Sequence, residues 1–162
     1  MNIKDHILEI FGYFSTDEEL LRLLYYPSDH LYDDPLSPDK GDILSRDDSW
    51  NIIGDRLKFT ANTDGFDDFA KCRICFYAGD RLNTSNKYSK EQEVIFDILV
   101  HRSYQENSLR LYSLMEKVDD ILRNNKFTSF GEIQELNGNP INVAENYFGY
   151  RLPYLFGELD VK

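Results

Sequence analysis

Two cysteines in the run Cys72-Arg73-Ile74-Cys75 have the spacing of a redox pair or of half a zinc site. Thiol redox chemistry needs such a pair where a strand meets a helix, so that one thiolate sits at the helix N-terminus. Here the motif lies inside a strand-like alternation, which sends the two sulfurs to opposite faces. His6, His30 and His101 are the only histidines, so a zinc site is poorly supplied and both cysteines are expected to be free thiols. Asp97 and His101 are an acid and a base four residues apart. On a strand that separation is about 13 Å, too far for the two to cooperate directly. The aspartates between Pro27 and Ser49 lack the spacing of a calcium loop, and Asn62 to Asp68, the nearest match, reads as a turn. With no G-x-S-x-G, no glycine-rich phosphate loop and no H-E-x-x-H, the expectation is a protein that is not an enzyme and uses no cofactor or metal.

The element that must organise these residues is Glu91 to Tyr104. Val94, Phe96, Ile98 and Val100 share one face at period two, while Ile95, Asp97, Leu99 and His101 alternate apolar and polar on the other. This predicts a central strand with one face on the core and a mixed face open to water or a partner. After it, Asn107 or Ser108 is the expected cap of a helix carrying the stripe Leu111, Leu114, Met115, Val118, Ile121 and Leu122. Earlier strands are predicted over Arg56 to Ala61 and Phe69 to Tyr77, with Ala78 to Lys90 as loop. Later ones are predicted near Glu132 to Leu136 and over Tyr147 to Phe156. Pro153 marks this last strand as an edge or as bulged.

Ile7, Leu8, Phe11 and Phe14 predict a first amphipathic helix from Ile3 to Phe14. Thr16 and Glu19 have the spacing of a capping box for a second, which Pro27 ends near Leu24 or Tyr25. From Pro27 to Ser49 follow seven aspartates, three prolines and one glycine, a composition of breakers. Its apolar members Leu31, Tyr32, Leu36, Ile43 and Leu44 argue for an extended acidic arm (27–49) lying against a surface, its own or a neighbour's. The expected fold is α+β: a mostly antiparallel sheet of four to five strands, packed with one long helix and two N-terminal helices, in a single domain over 1–162.

A net charge of −11, from 29 acidic and 18 basic residues, disfavours ordinary nucleic-acid binding. Lys87, Lys90, Arg102 and Arg110 read as a solvated face rather than a basic patch. No apolar run approaches the roughly 20 residues of a membrane span, and the N-terminus lacks a signal-peptide layout, so the protein is expected to be intracellular when made.

Several blocks carry a resemblance: Leu21-Arg-Leu-Leu-Tyr-Tyr-Pro27 followed by Asp33-Asp-Pro-Leu-Ser-Pro-Asp39, Lys71-Cys-Arg-Ile-Cys-Phe-Tyr-Ala-Gly-Asp-Arg81, the Glu91 strand, and Gly149-Tyr-Arg-Leu-Pro-Tyr-Leu-Phe-Gly157. Together they resemble tail terminator or head-tail joining (tail completion) proteins of long-tailed phages and phage-tail-like particles. The resemblance implies a subunit that assembles as a six-membered ring on the tail tube, ends tube growth and offers the head or neck a docking surface. Its implied partners are other copies of itself, the tail tube protein, the head-tail connector or neck protein and any sheath, with DNA passing through without specific binding. It places the protein in the virion, at the tail or neck, and in the host cytoplasm during assembly. Tyr32, Asp33, Asp34, Leu36, Trp50, Asp97 and His101 are the candidate interface residues, with Tyr32, Leu36 and Trp50 as apolar anchors. A different class fits the charge too: a small acidic immunity or inhibitor protein that blocks a basic partner.

Overall fold

A computed structural model describes residues 3–83, 89–127 and 133–159. In chain order the elements are α1 (Ile3–Ser15), α2 (Glu18–Tyr25), α3 (Ser49–Arg56), β1 (Leu57–Lys58), β2 (Cys72–Asn83), β3 (Ser89–His101), α4 (Arg102–Ser108), α5 (Arg110–Asn124), β4 (Ile133–Glu135), β5 (Asn139–Ile141) and β6 (Tyr147–Leu159). The fold is α+β, with an open sheet in the order β1-β2-β3-β6-β4 and β5 also paired to β6. Every pairing is antiparallel except the short β1–β2 contact. The sheet therefore has six strands, one more than the upper expectation.

β3 is the centre of this sheet, paired along its length to β2 on one side and β6 on the other. Val94, Phe96, Ile98 and Val100 are all fully buried on the face that carries the helices. There they join Ile74, Phe76, Tyr154 and Phe156 from the flanking strands and Ile10, Phe14, Leu20, Leu24, Leu114 and Val118 from the helices. Rings tile this layer: Phe14 meets Phe76 edge-on at 5.4 Å and Tyr154 meets Phe96 at 5.5 Å, arrangements that add to simple area burial. Cys72 packs into this core, whereas Cys75 belongs to a smaller cluster with Phe66, Leu99 and Tyr147 on the opposite face. The two sulfurs are thus divided by the sheet, and burial pushes the Cys72 thiol up to about 12 and raises that of Cys75 as well.

Local sequence reading goes astray where a charged residue is buried or a polar one is exposed on both faces. Of the strand predicted over Arg56 to Ala61 only Leu57–Lys58 pair as strand; Arg56 instead ends helix α3, whose inward face is Ile52, Ile53 and Arg56, and residues 59–61 form no strand. An arginine counted as polar hid that helical face. The predicted second strand begins later and runs on through the supposed loop to Asn83, because β3 supplies ladder partners as far as Lys90. Beyond Tyr77 this strand is largely exposed, so no apolar alternation marks it. Residues 84–88 of that loop prediction, Lys87 among them, lie outside the described residues, as does Glu132 at the start of the predicted fourth strand.

The helix starts are also re-assigned. Asp17, not Thr16, caps α2 by accepting the Leu20 N–H at 2.9 Å, while the Thr16 hydroxyl donates back to the Gly12 carbonyl at the end of α1. β3 stops at His101, the chain forms α4, and Leu109 takes a left-handed conformation (φ 54°) before α5 begins. Ser108 is therefore not a cap: its hydroxyl donates to the Tyr104 carbonyl, and the Gln105 Oε1 accepts the Leu111 N–H instead. Pro153 does not mark an edge or a bulge, since β6 is an interior strand with its β3 register unbroken across Pro153↔Ile95. Its carbonyl accepts from Leu136 on the far side, so its missing N–H points into the gap between β4 and β5, where no ladder partner is needed.

Candidate functional site

The acidic arm lies on its own subunit. It is a chain of turns, closed by Asp33 N–H to His30 O, Ser37 N–H to Asp34 O and Lys40 N–H to Ser37 O. Pro35 and Pro38 occupy the second position of the latter two turns, where a φ near −65° is already correct. α2 holds the arm down. Glu18 accepts the N–H groups of Ile43 and Leu44, Arg22 donates to the Ser37 carbonyl at 3.2 Å and pairs with Asp42, and the Tyr26 hydroxyl donates to the Gly41 carbonyl at 2.6 Å. Ile43 is fully buried and Leu36 packs against the main core.

At the head of the arm, Arg110 is 1% exposed and has no carboxylate partner among the described residues. Its guanidinium donates to the carbonyls of Leu23 (2.6 Å) and Tyr26 (2.5 Å) and to the Ser28 hydroxyl (2.9 Å), and lies 5.2 Å over the Tyr104 ring. This arginine neutralises the carbonyl end of α2 and fixes where the arm departs. The solvated face expected for it from sequence spacing is thus corrected to a buried one.

Of the predicted interface residues, Tyr32, Asp33, Asp34 and Leu36 come together. They form one wall of a cleft of about 390 Å³ whose other wall is α5, through Ser113, Glu116, Lys117 and Asp120. Those four recur at the helical repeat opposite the apolar stripe, which is the signal that could have found them. Asp33 is held by Lys40 at 2.8 Å and by the Asp29 N–H, which keep its carboxyl below the usual value. Lys117 reaches Glu19 at 2.8 Å and Asp17 at 3.5 Å. Tyr32 is 88% exposed. Trp50 lies apart from the cleft, in the first turn of α3, and is 70% exposed.

Asp97 and His101 belong to neither place. Asp97 is only 3% exposed, which corrects its reading as part of an open polar face. It accepts two hydrogen bonds from Arg151 (2.8 and 3.0 Å) and one from the Tyr77 hydroxyl (2.5 Å), so it ties β2, β3 and β6 together across the sheet. Burial and the Asp97 hydrogen bond push the Tyr77 hydroxyl up to about 12. His101 caps α4: its Nδ1 accepts the Ser103 N–H at 3.1 Å, and its ring meets Tyr147 edge-on at 5.0 Å.

That cap requires a neutral ring. Partial burial and the neighbouring Arg102 charge hold the His101 pKa below its ordinary 6.5. The contribution is complete above the unfolded value and is lost as pH falls through the folded one. His101→Asn keeps an acceptor at the cap but does not titrate. In urea unfolding at about pH 7.5 and about pH 5.5, the stability difference is expected to shrink in this variant, and an unchanged difference would contradict the assignment.

A charged cluster that the sequence did not reveal fastens the loop between β1 and β2. Asp55 is met by Lys71 Nζ (3.1 Å), Arg73 Nη2 (3.1 Å) and Arg56 Nε (3.1 Å), and the three cationic side chains are 2%, 0% and 5% exposed. Lys71 also sits 4.1 Å over the Phe69 ring and Arg73 4.7 Å over Phe66. Lys71 and Arg73 lie in or next to a strand, at positions that alternation assigns to a solvent face.

A model of the YomW family matches residues 17–156, a span that takes in the arm, the cleft and all of the sheet except the last three residues of β6. The chain belongs to the YomW family. It is 28% identical over 165 residues, covering 94% of this chain and 95% of the relative, to the "SPbeta prophage-derived uncharacterized protein YomW" of Bacillus subtilis (strain 168). The family thus includes a prophage-derived protein, in keeping with the phage character of the sequence resemblance. Both walls of the cleft fall within the matched span, as does Trp50.

Proposed function

We propose that this YomW-family chain is a structural protein of a phage tail, a terminator subunit that forms a ring on the tail tube, ends tube growth and presents a surface to the head or neck. The observation that carries this reading is the arm itself. It is pinned to α2 and its C-cap by the side chains of Glu18, Arg22 and Tyr26, yet it turns Tyr32 outward, while Trp50 projects just beyond its end. Large aromatic side chains held out from an ordered, strongly charged surface are the usual anchors of protein interfaces. The prophage origin of the Bacillus relative supports the setting.

Negative-stain imaging of the protein alone and mixed with purified tail tubes tests the reading. Rings at tube ends, with Trp50→Ala reducing the fraction of capped ends, are the expected result. Bare tube ends in excess protein, with unchanged tube lengths, would overturn it. Point substitution is preferable to deleting the arm, because deletion would uncover the core around Ile43.

A further inference from the structure

We infer that the cleft between the arm and α5 is a docking groove for an extended partner segment carrying lysine or arginine beside a large apolar residue. Its lining has two parts. Leu23, Leu31, Tyr32 and Leu36 supply an apolar side, and Asp33, Asp34, Glu116 and Asp120 supply an acidic one. Glu116 and Asp120 have no ion-pair or hydrogen-bond partner among the described residues, whereas the two cations of the lining are already engaged: Lys117 with Glu19 and Asp17, and Arg110 with backbone carbonyls. The groove therefore presents uncompensated negative charge next to apolar surface, which a basic amphipathic segment complements.

Two observations narrow the occupant. Among the described residues no three His, Cys, Asp or Glu side chains converge as metal ligands, so these carboxylates are spread along the groove rather than gathered around a point cation. A chain of spaced positive charges matches that distribution. Leu31 and Tyr32, moreover, occupy the two central positions of the His30–Asp33 turn and are 57% and 88% exposed. Such positions favour Gly, Asn, Asp or Pro, so two large apolar residues there are not explained by the turn. The turn is fixed by Ser28 Oγ donating to the Asp33 carbonyl at 2.6 Å and by the Asp33–Lys40 pair, so the tyrosine is presented in place before any partner arrives.

The groove test reads peptide binding, and the tail-capping test is made at Trp50, which lies outside the groove, so the two can fail separately. The probe is a dye-labelled octapeptide alternating lysine and leucine, with its glutamate-leucine counterpart as control, followed by fluorescence polarisation at about 50 and about 300 mM salt. The expected result is binding of the lysine peptide alone, weakened by salt. It should weaken about tenfold in Tyr32→Ala and in the Glu116→Gln/Asp120→Asn double variant, with thermal unfolding of both variants unchanged. Equal affinity in wild type and both variants would mean diffuse charge attraction and would overturn the proposal, as would no binding of the lysine peptide. Self-association abolished by Tyr32→Ala would overturn it in favour of a second copy, and saturable calcium binding at these carboxylates would overturn it in favour of a cation.

Discussion

Asp55→Asn is expected to lower folding stability by about 3 kcal/mol, measured by urea unfolding at neutral pH. Among the described residues Asp55 is the single carboxylate against which Lys71, Arg73 and Arg56 are buried. Removing it leaves three desolvated cations sharing only rings and carbonyls, and an unpaired buried charge costs far more than a surface ion pair contributes. Against the roughly 5–15 kcal/mol that holds a domain of this kind together, such a loss is large. The pH dependence supplies an independent check. Burial alone would raise the Asp55 carboxyl, but the Lys71 hydrogen bond and the charges of Lys71, Arg56 and Arg73 outweigh it and hold the group below 3.8. Its contribution is thus complete above the unfolded value and drains away as pH falls through the folded one. The gap between wild type and Asp55→Asn should be constant near neutrality and close in acid. A gap of less than about 1 kcal/mol at neutral pH would show that the rings and carbonyls suffice.

The second large effect is expected at Arg110. Arg110→Met keeps much of the side-chain volume but leaves the Leu23 and Tyr26 carbonyls and the Ser28 hydroxyl without their donor, at a cost of about 3 kcal/mol. Arg110→Lys should recover only part of this, because one ammonium cannot reproduce a planar fork reaching three acceptors. The effect should also be local in a way that simple core damage is not. Amide hydrogen exchange in residues 27–48 should accelerate more than exchange in β3, because Arg110 fixes the point at which the arm leaves α2. Uniform acceleration across the arm and the sheet would sink this assignment and leave Arg110 as an ordinary packing residue.

These two residues also mark the limit of what the sequence discloses. Lys71 and Arg73 alternate with Cys72 and Ile74, and a period-two reading must place one set inward and the other outward. The sheet here has buried surface on both sides, because the loop carrying Phe66 and Phe69 folds over the second face. Both sets are therefore inside. Charged residues can occupy such positions only when a partner comes from elsewhere in the chain, and Asp55 is 16 residues from Lys71 and 18 from Arg73. Asp97 was misread for the same reason, its partner Arg151 being 54 residues away. Arg110 adds a third case, with acceptors more than 80 residues distant.

By itself the sequence determined what depends on local periodicity. It set the central strand with its buried Val94, Phe96, Ile98 and Val100 face, the long helix with its apolar stripe, the two N-terminal helices, the division of Cys72 from Cys75, and an arm free of helix and strand over most of its length. Those signals are short-ranged: a pleat alternates every second residue, a helix repeats about every fourth, and proline fixes its own φ. Only the tertiary structure decided which carboxylate faces which cation, which wall of α5 the arm lies beside, and which aromatic residues stay outside. Those outcomes depend on side chains meeting across tens of residues, and no local pattern encodes a partner at that distance. The cleft is the clearest instance: Tyr32, Asp33 and Asp34 were legible as candidates, but Glu116 and Asp120 became part of the same site only when the chain closed over Arg110.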